Sequence, residues 1–354
     1  MKTDASIRLY QPGDESELND LFNLVFGENR SLEQWQWKFK RLIPWPGKSI
    51  VVAQAQGQII GAYPAIFVWY KVGNKLLPIP LVVDTAIHPE WKGFRLILSL
   101  KRYISDNFRN IGVAFAFGFP TSQHYEIGKK LMQYKDLLSK QIFFKRLNWR
   151  LAFRLRFPGL GLENLVSIIS NRICKLIHLM TKPSVRQFEV NRIISFEQQF
   201  DQLWNEVSSN YEIIARRNSQ YLNWRYPQSS AQEYTIYAAY GKHNRLRGYM
   251  VLKVEDNEAE RVGIIVDFLT TSEAEVMNAL LYKTVAYFLA QRVDYVKCLA
   301  GVHYPQYPAL LGYGFFPRYQ SVKLVYELYT NSLTPQYLED SQNWFVTYGD
   351  TDWH

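Results

Sequence analysis

The feature that most constrains how this chain can fold is that it repeats itself. Trp37-Lys38-Phe39 returns as Trp224-Arg225-Tyr226, each string with proline downstream. Ile59-Ile60-Gly61-Ala62-Tyr63 is answered by Leu246-Arg247-Gly248-Tyr249, and Val82-Val83-Asp84 by Ile265-Val266-Asp267. Phe117-Gly118-Phe119-Pro120 is answered by Ala300-Gly301-Val302-His303-Tyr304-Pro305. Every offset is near 185 residues and the order is kept. One coincidence of this kind is cheap, but four in order at one spacing argue for a duplicated domain. The length agrees, since 354 residues exceed one ordinary core.

The pattern inside the first copy sets the fold class. Ile7 to Tyr10 reads as a strand, and Asp14, Glu15 and Glu17 open a helix running to about Phe26. Leu32 to Phe39 reads as a second helix, which Pro44 and Pro46 end. Ser49 to Gln54 and Ile59 to Trp69 flank the two-residue turn Gln56-Gly57, and Lys75 to Ile87 supplies a third arm. Apolar residues at helical spacing follow from Gly93 to Phe108, then a strand over Val113 to Phe117 and a helix over Ser122 to Met132. This order predicts an α/β (α+β) architecture of two tandem domains. Each is a mixed, mostly antiparallel central sheet flanked by helices. The expected boundaries are 1–139, a connector over 140–187, a second domain over 188–330 and an aromatic tail over 331–354.

Charge narrows the function classes. The chain carries a net charge of +9, and Lys140 to Arg186 holds ten basic residues against the single Glu163. The remaining 31 basic and 31 acidic residues balance. A neutral body with one basic connector is not the footprint of a DNA-binding protein. The connector interleaves its cations with Phe143, Phe144, Trp149, Phe153, Phe157, Ile168 and Leu176, which fits two amphipathic elements split at Pro158-Gly159. The reading adopted is an interdomain helical linker with its apolar face packed on the two domains. Beside it stands a peripheral contact through 140–186 with anionic headgroups at the inner face of a membrane, suited to a lipid-linked sugar substrate.

Met1 to Tyr10 has no apolar signal region, and the uncharged stretch Gly57 to Tyr70 is too short to span a bilayer. Cys174 and Cys298 form neither a disulfide framework nor a metal set, and the six histidines show no HxxxH pattern. A cytoplasmic protein without a metal is expected. The sequence leaves the oligomeric state open.

Val83-Asp84-Thr85-Ala86-Ile87-His88-Pro89-Glu90-Trp91-Lys92-Gly93 resembles the central strand and loop of the GNAT acetyltransferases. Tyr313-Gly314-Phe315 resembles a string common after the fourth helix of that family. The two-copy layout, the Trp-Lys/Arg-aromatic string and the tail from Trp344 to Trp353 resemble a bacterial branch that often accompanies surface-polysaccharide gene sets. The resemblance implies acetyl-CoA as co-substrate, with its pyrophosphate against backbone N–H groups at a helix start. It places cofactor contacts at Ala86, Ile87, Lys92, Gly93, Phe94, Arg95, Leu96 and Ile97, with an oxyanion donor near Ala86 or Ile87. Of the usual loop glycines only Gly93 is kept, and Lys92 and Arg95 offer charge to phosphates instead. In the second copy Thr270 to Glu275 has no glycine and two carboxylates, so acyl-CoA is expected in the first copy.

The resemblance also implies catalytic roles. Tyr125 is the candidate to protonate the leaving thiolate, Asp84 to steer or deprotonate an amine, and His88 or His124 to act as a base. Each has a structural alternative: helix packing for Tyr125, loop capping for Asp84, a surface or capping position for the histidines. Some relatives place the terminal carboxylate in the active site, here that of His354. The alternative is a tail that covers a sheet edge. The implied function is N-acyl transfer from acyl-CoA to a small-molecule or saccharide amine, such as an amino sugar. Two other readings stand: an inactive GNAT-like ligand- or partner-binding protein, and a Fem-like aminoacyltransferase.

Overall fold

The computed structural model describes residues 5–40, 48–91, 94–132, 134–181, 187–230, 232–257 and 259–352. The first half opens with β1 (Ser6–Leu9), α1 (Glu15–Phe26), α2 (Leu32–Lys40), β2 (Ile50–Ala55) and β3 (Gln58–Val72). It continues through β4 (Lys75–Val82), β5 (Ala86–Ile87), α3 (Phe94–Asn110), β6 (Phe115–Gly118), α4 (Ser122–Leu131) and β7 (Lys135–Arg146). Gln56 and Gly57 have φ of 53° and 80°, the paired left-handed conformation that a tight hairpin between β2 and β3 requires. Ile59 through Val68 of β3 are all buried, so the sheet is covered on both faces here. Helices α1 and α3 both pack on β3.

Two helices then join the halves, α5 (Arg150–Arg156) and α6 (Glu163–Met180). The second half runs β8 (Glu189–Ile193), α7 (Gln199–Ser208), β9 (Ile213–Ala215), α8 (Ser219–Arg225), β10 (Thr235–Tyr240) and β11 (Leu246–Asp256). It goes on with β12 (Arg261–Thr270), α9 (Ala274–Ala290), β13 (Tyr295–Ala300), α10 (Tyr307–Gly312) and β14 (Phe316–Leu328). The tail adds α11 (Pro335–Glu339) and β15 (Trp344–Phe345). Apart from β9 and the short β5, the second half repeats the element order of the first.

The strand order is β1-β2-β3-β4-β6-β14-β7-β13-β12-β11-β10-β8. Each half therefore gives its last strand to the other. β14 pairs antiparallel with β6 of the first half, and β7 pairs antiparallel with β13 of the second. β7 and β14 also pair with each other, which makes them the centre of one continuous ladder. Most neighbours are antiparallel, while β4–β6 and β12–β13 are parallel.

A second joint links the two halves. Trp37 and Trp224 stack with centroids 5.4 Å apart. The Trp37 indole N–H donates to the Trp224 carbonyl at 2.7 Å, and the Trp224 indole N–H donates to the Trp37 carbonyl at 2.9 Å. The repeated tryptophans thus clasp each other.

The connector differs from its sequence expectation. The connector over 140–187 is expected to be helical, but Lys140 to Arg146 belong to β7, where 141–146 pair antiparallel with 295–300 of β13 and Phe143 is buried in the core. The expected boundary at 139/140 falls inside that strand. Pro44 and Pro46 lie outside the described residues.

Candidate active site

The first-half site is built where β4 and β6 part. Their parallel pairing ends at Leu81–Phe117 and Val82–Gly118. Gly118 belongs there because a Cβ would sit 3.3 Å from the Val82 carbonyl oxygen. After Val82 the chain inserts one extra residue opposite β3, since Ala65 pairs with Val82 but Ala62 pairs with Ala86. Asp84 takes the bulge in the left-handed region, φ 42°, which Asp tolerates better than most residues. The bulge carries the chain away from β6 and aims the Asp84 carboxylate into the opening.

His88 N–H donates to the Ile60 carbonyl at 2.8 Å. By strand alternation the Ile87 N–H faces away from β3, into the space left by the parting strands. Of Ala86 and Ile87, the backbone N–H that β3 leaves unused is therefore that of Ile87.

A cavity of about 790 Å³ occupies this opening. Arg30, Lys38, Asp84 and Asp352 line one part of it, and Tyr63, His124 and Tyr134 another. Ser105, Glu327 and Tyr329 line a third. The second half completes the wall: Glu327 comes from the end of β14, Tyr329 directly follows that strand, Arg225 ends α8 and Asp352 lies in the tail.

The charged part is a bridged carboxylate pair. Arg30 lies 2.6 Å and Lys38 2.9 Å from Asp84. The same Lys38 ammonium lies 2.8 Å from Asp352. Burial alone would raise the Asp84 carboxyl, but Lys38 and Arg30 together outweigh it and hold Asp84 below its ordinary value. Burial pushes the Asp352 carboxyl up, Lys38 offsets part of this and nearby Asp84 adds to the rise, to about 6. Asp352 keeps 19% of its side chain exposed, so it is reachable from the cavity. One carboxylate is thus fixed as a charge and the other is poised to exchange a proton near neutral pH.

The second part is a neutral chain of hydroxyls and imidazole. Tyr63 and Tyr134 hydroxyls are 3.1 Å apart, and His124 Nε2 lies 3.3 Å from the Tyr134 hydroxyl. Burial lowers His124 and keeps it neutral, and burial raises the Tyr134 phenol to about 12. The Thr121 hydroxyl caps α4 by accepting from the His124 N–H at 3.4 Å.

The second half carries the same frame, but filled. Arg217 bonds Asp267 at 3.1 Å, with both side chains only 1% exposed. Asp267 also accepts from the Tyr226 and Tyr249 hydroxyls at 3.0 Å and from Thr347 at 2.8 Å. Asp350 of the tail reaches Arg217 at 2.6 Å. The turn Tyr348–Asp350 lies where the first half has its opening. Gly349 is required there, because a Cβ would collide with the Tyr226 hydroxyl and lie 3.0 Å from Asp267 Cβ.

Of the expected site residues, Asp84 and His124 line the cavity, and Ala86 and Ile87 lie in β5 beside the opening. Tyr125 does not line it: its hydroxyl donates to Asp136 at 2.8 Å and Lys323 sits over its ring. His88 does not line it either, and its Nδ1 accepts from the Glu90 N–H at 3.3 Å. Phe94, Arg95, Leu96 and Ile97 form the first turn of α3, with Arg95 exposed and Leu96 and Ile97 half-buried. Lys92, Gly93 and His354 lie outside the described residues. The sequence reading passed over Arg30, Lys38, Tyr63, Tyr134 and Asp352. Two signals pointed to some of them. Lys38 lies inside the repeated Trp string, and Arg30 precedes it as Arg217 precedes Trp224.

Residues 6–128 match the acetyltransferase (GNAT) domain. No curated protein matches the chain in sequence. Among solved structures, a probable N-acyltransferase of Enterococcus faecalis V583 aligns with TM-score 0.63 at 10% identity, over 92% of this chain and 73% of that one. A GCN5-related N-acetyltransferase from Anabaena variabilis gives the same values. Saccharomyces cerevisiae N-myristoyltransferase with bound myristoyl-CoA aligns with TM-score 0.60 at 14% identity, over 92% of this chain and 79% of that one. The chain therefore shares the fold of these structures across nearly its whole length, and its match to the acetyltransferase domain is confined to the first half.

Proposed function

We propose that the first-half cavity transfers an acyl group from acyl-CoA to an amine. The observation that carries this reading is the Asp84–Lys38–Asp352 bridge at the open end of parted strands. It lies beside residues that match an acetyltransferase domain, while the equivalent opening in the second half is filled. Acyl-CoA would supply the activated thioester. Arg95 and the first turn of α3 would face its phosphates, and Ile87 N–H would donate to the developing oxyanion. The amine enters as an ammonium drawn to the carboxylates, and Asp352 takes its proton. The free amine then forms the new C–N bond as the C–S bond breaks, and the proton that the attacking nitrogen sheds passes to the thiolate, which leaves as CoA thiol. Tyr134, which lines the cavity where Tyr125 does not, would donate a hydrogen bond to the departing sulfur.

Acetyl is the acyl group proposed first, and an amino sugar the acceptor, since a cavity of about 790 Å³ admits a monosaccharide beside the thioester end. Titrating acetyl-CoA and a longer acyl-CoA into the purified chain tests the donor. Thiol release with glucosamine and other amines then tests the acceptor. Saturable donor binding and amine-dependent thiol release are expected. No binding of either donor sinks the enzyme reading. Turnover only with the longer donor replaces acetyl.

A further inference from the structure

Helix α6 is amphipathic in the wrong sense for a soluble linker. The face it turns to the protein is polar: Ser167 and Ser170 hydrogen-bond with Asn148 at 2.9 and 3.3 Å, and His178 stacks on Tyr282 at 4.2 Å. Its buried residues are Ser170 and His178. The opposite face carries Leu165, Ile168, Ile169, Ile173, Leu176 and Met180, each between 47% and 86% exposed. These positions fall at helical spacing on one stripe. Helix α5, which packs against α6, and the turn after it add exposed apolar side chains, with Leu155 at 72%, Phe157 at 45% and Leu160 at 57% exposure. α5 has no buried residue. The expectation of an apolar face packed on the two domains is therefore reversed.

Cations accompany this apolar surface. Arg150, Arg154, Arg156, Arg172 and Lys175 are exposed on the same two helices, and among the described residues none of them pairs with a carboxylate. A patch this apolar needs a cover, and its charge selects one. A second copy would bring an equally basic face against it. An anionic surface with an apolar interior satisfies both features. Among the described residues no helix is long and apolar enough to cross a membrane, so the contact is in the plane of the interface.

We propose that α5 and α6 dock the protein on a bilayer containing anionic lipid. α6 lies along the surface for about 27 Å, its apolar stripe among the upper acyl carbons, with its Arg172 and Lys175 and the three arginines of α5 at the headgroups.

Flotation of the full chain with vesicles tests this. Wild type should float with phosphatidylcholine vesicles holding about 30% phosphatidylglycerol, far less with phosphatidylcholine alone, and less again in about 0.5 M salt. The combined Ile168→Ser, Ile169→Ser and Leu176→Ser variant should lose at least about tenfold in partitioning. So should a separate Arg154→Glu, Arg172→Glu and Lys175→Glu variant, which alters only exposed charges and guards against misfolding of the first. Both should keep the wild-type melting temperature. Wild type that stays unbound with anionic vesicles overturns the proposal. So does a concentration-dependent dimer in sedimentation that the serine variant dissolves, which would assign the face to a second copy.

Discussion

Two aspartates in the cavity have opposite proton chemistry, and substitutions should separate them. Asp352→Asn should keep donor binding and lower kcat by about 10²–10⁴-fold, as expected for loss of a general base. With wild type, kcat should fall as pH drops through about 6, where Asp352 protonates. Asp84 behaves in reverse. Its folded value is lowered, so its stabilisation is present at neutral pH, above the unfolded value of about 4, and is lost as pH falls through the folded value. Asp84→Asn should therefore lower the melting temperature at pH 7 and lose that effect in acid. In the second half, Asp267→Asn leaves Arg217 buried and short of its main partner, and chemical denaturation should show a loss of about 3–5 kcal/mol. Only part of this site was legible in the sequence. Asp84 stood out because it ends a repeated string. Asp352 lies 268 positions away in a tail that stood out for its aromatic residues, and only the folded chain brings its carboxylate to Lys38. Tyr134 was missed because the resemblance pointed to a tyrosine within the helix, Tyr125, whose side chain is turned toward Asp136.

At the level of elements, hairpins and helices followed local pattern closely, because tight turns and apolar periodicity are properties of short segments. Strand exchange did not, since nothing local to Lys135–Arg146 says which neighbour β7 will choose. The basic residues on it instead suggested a connector. The tail is the element whose packing matters most for the contrast between the halves. Gly349→Ala should disturb the turn over Asp267 and cost about 1–3 kcal/mol. If the plug also sets the position of Asp352, the same substitution should lower turnover without weakening acyl-CoA binding. Trp37→Phe removes one of two reciprocal indole bonds and leaves the Trp224 carbonyl without that donor, a loss of about 1–3 kcal/mol in denaturant titration.

For the whole molecule, the exchange of β7 and β14 makes the halves interdependent. A fragment ending at residue 139 would lack β14 and expose the edge of β6. It should aggregate or fail to give dispersed NMR signals, whereas two independent domains would survive the cut. Calorimetry of the full chain should show one cooperative transition with matching calorimetric and van't Hoff enthalpies. A chain with only one copy could complete such a sheet only by lending its last strand to a twin, so its fold would depend on concentration. With both halves in one chain, the same strand exchange is intramolecular. The single chain also lifts a restriction that identical subunits cannot escape: a change made in one seat is no longer made in the other. One seat is then free to become a socket for the chain's own end while its twin stays open for a guest.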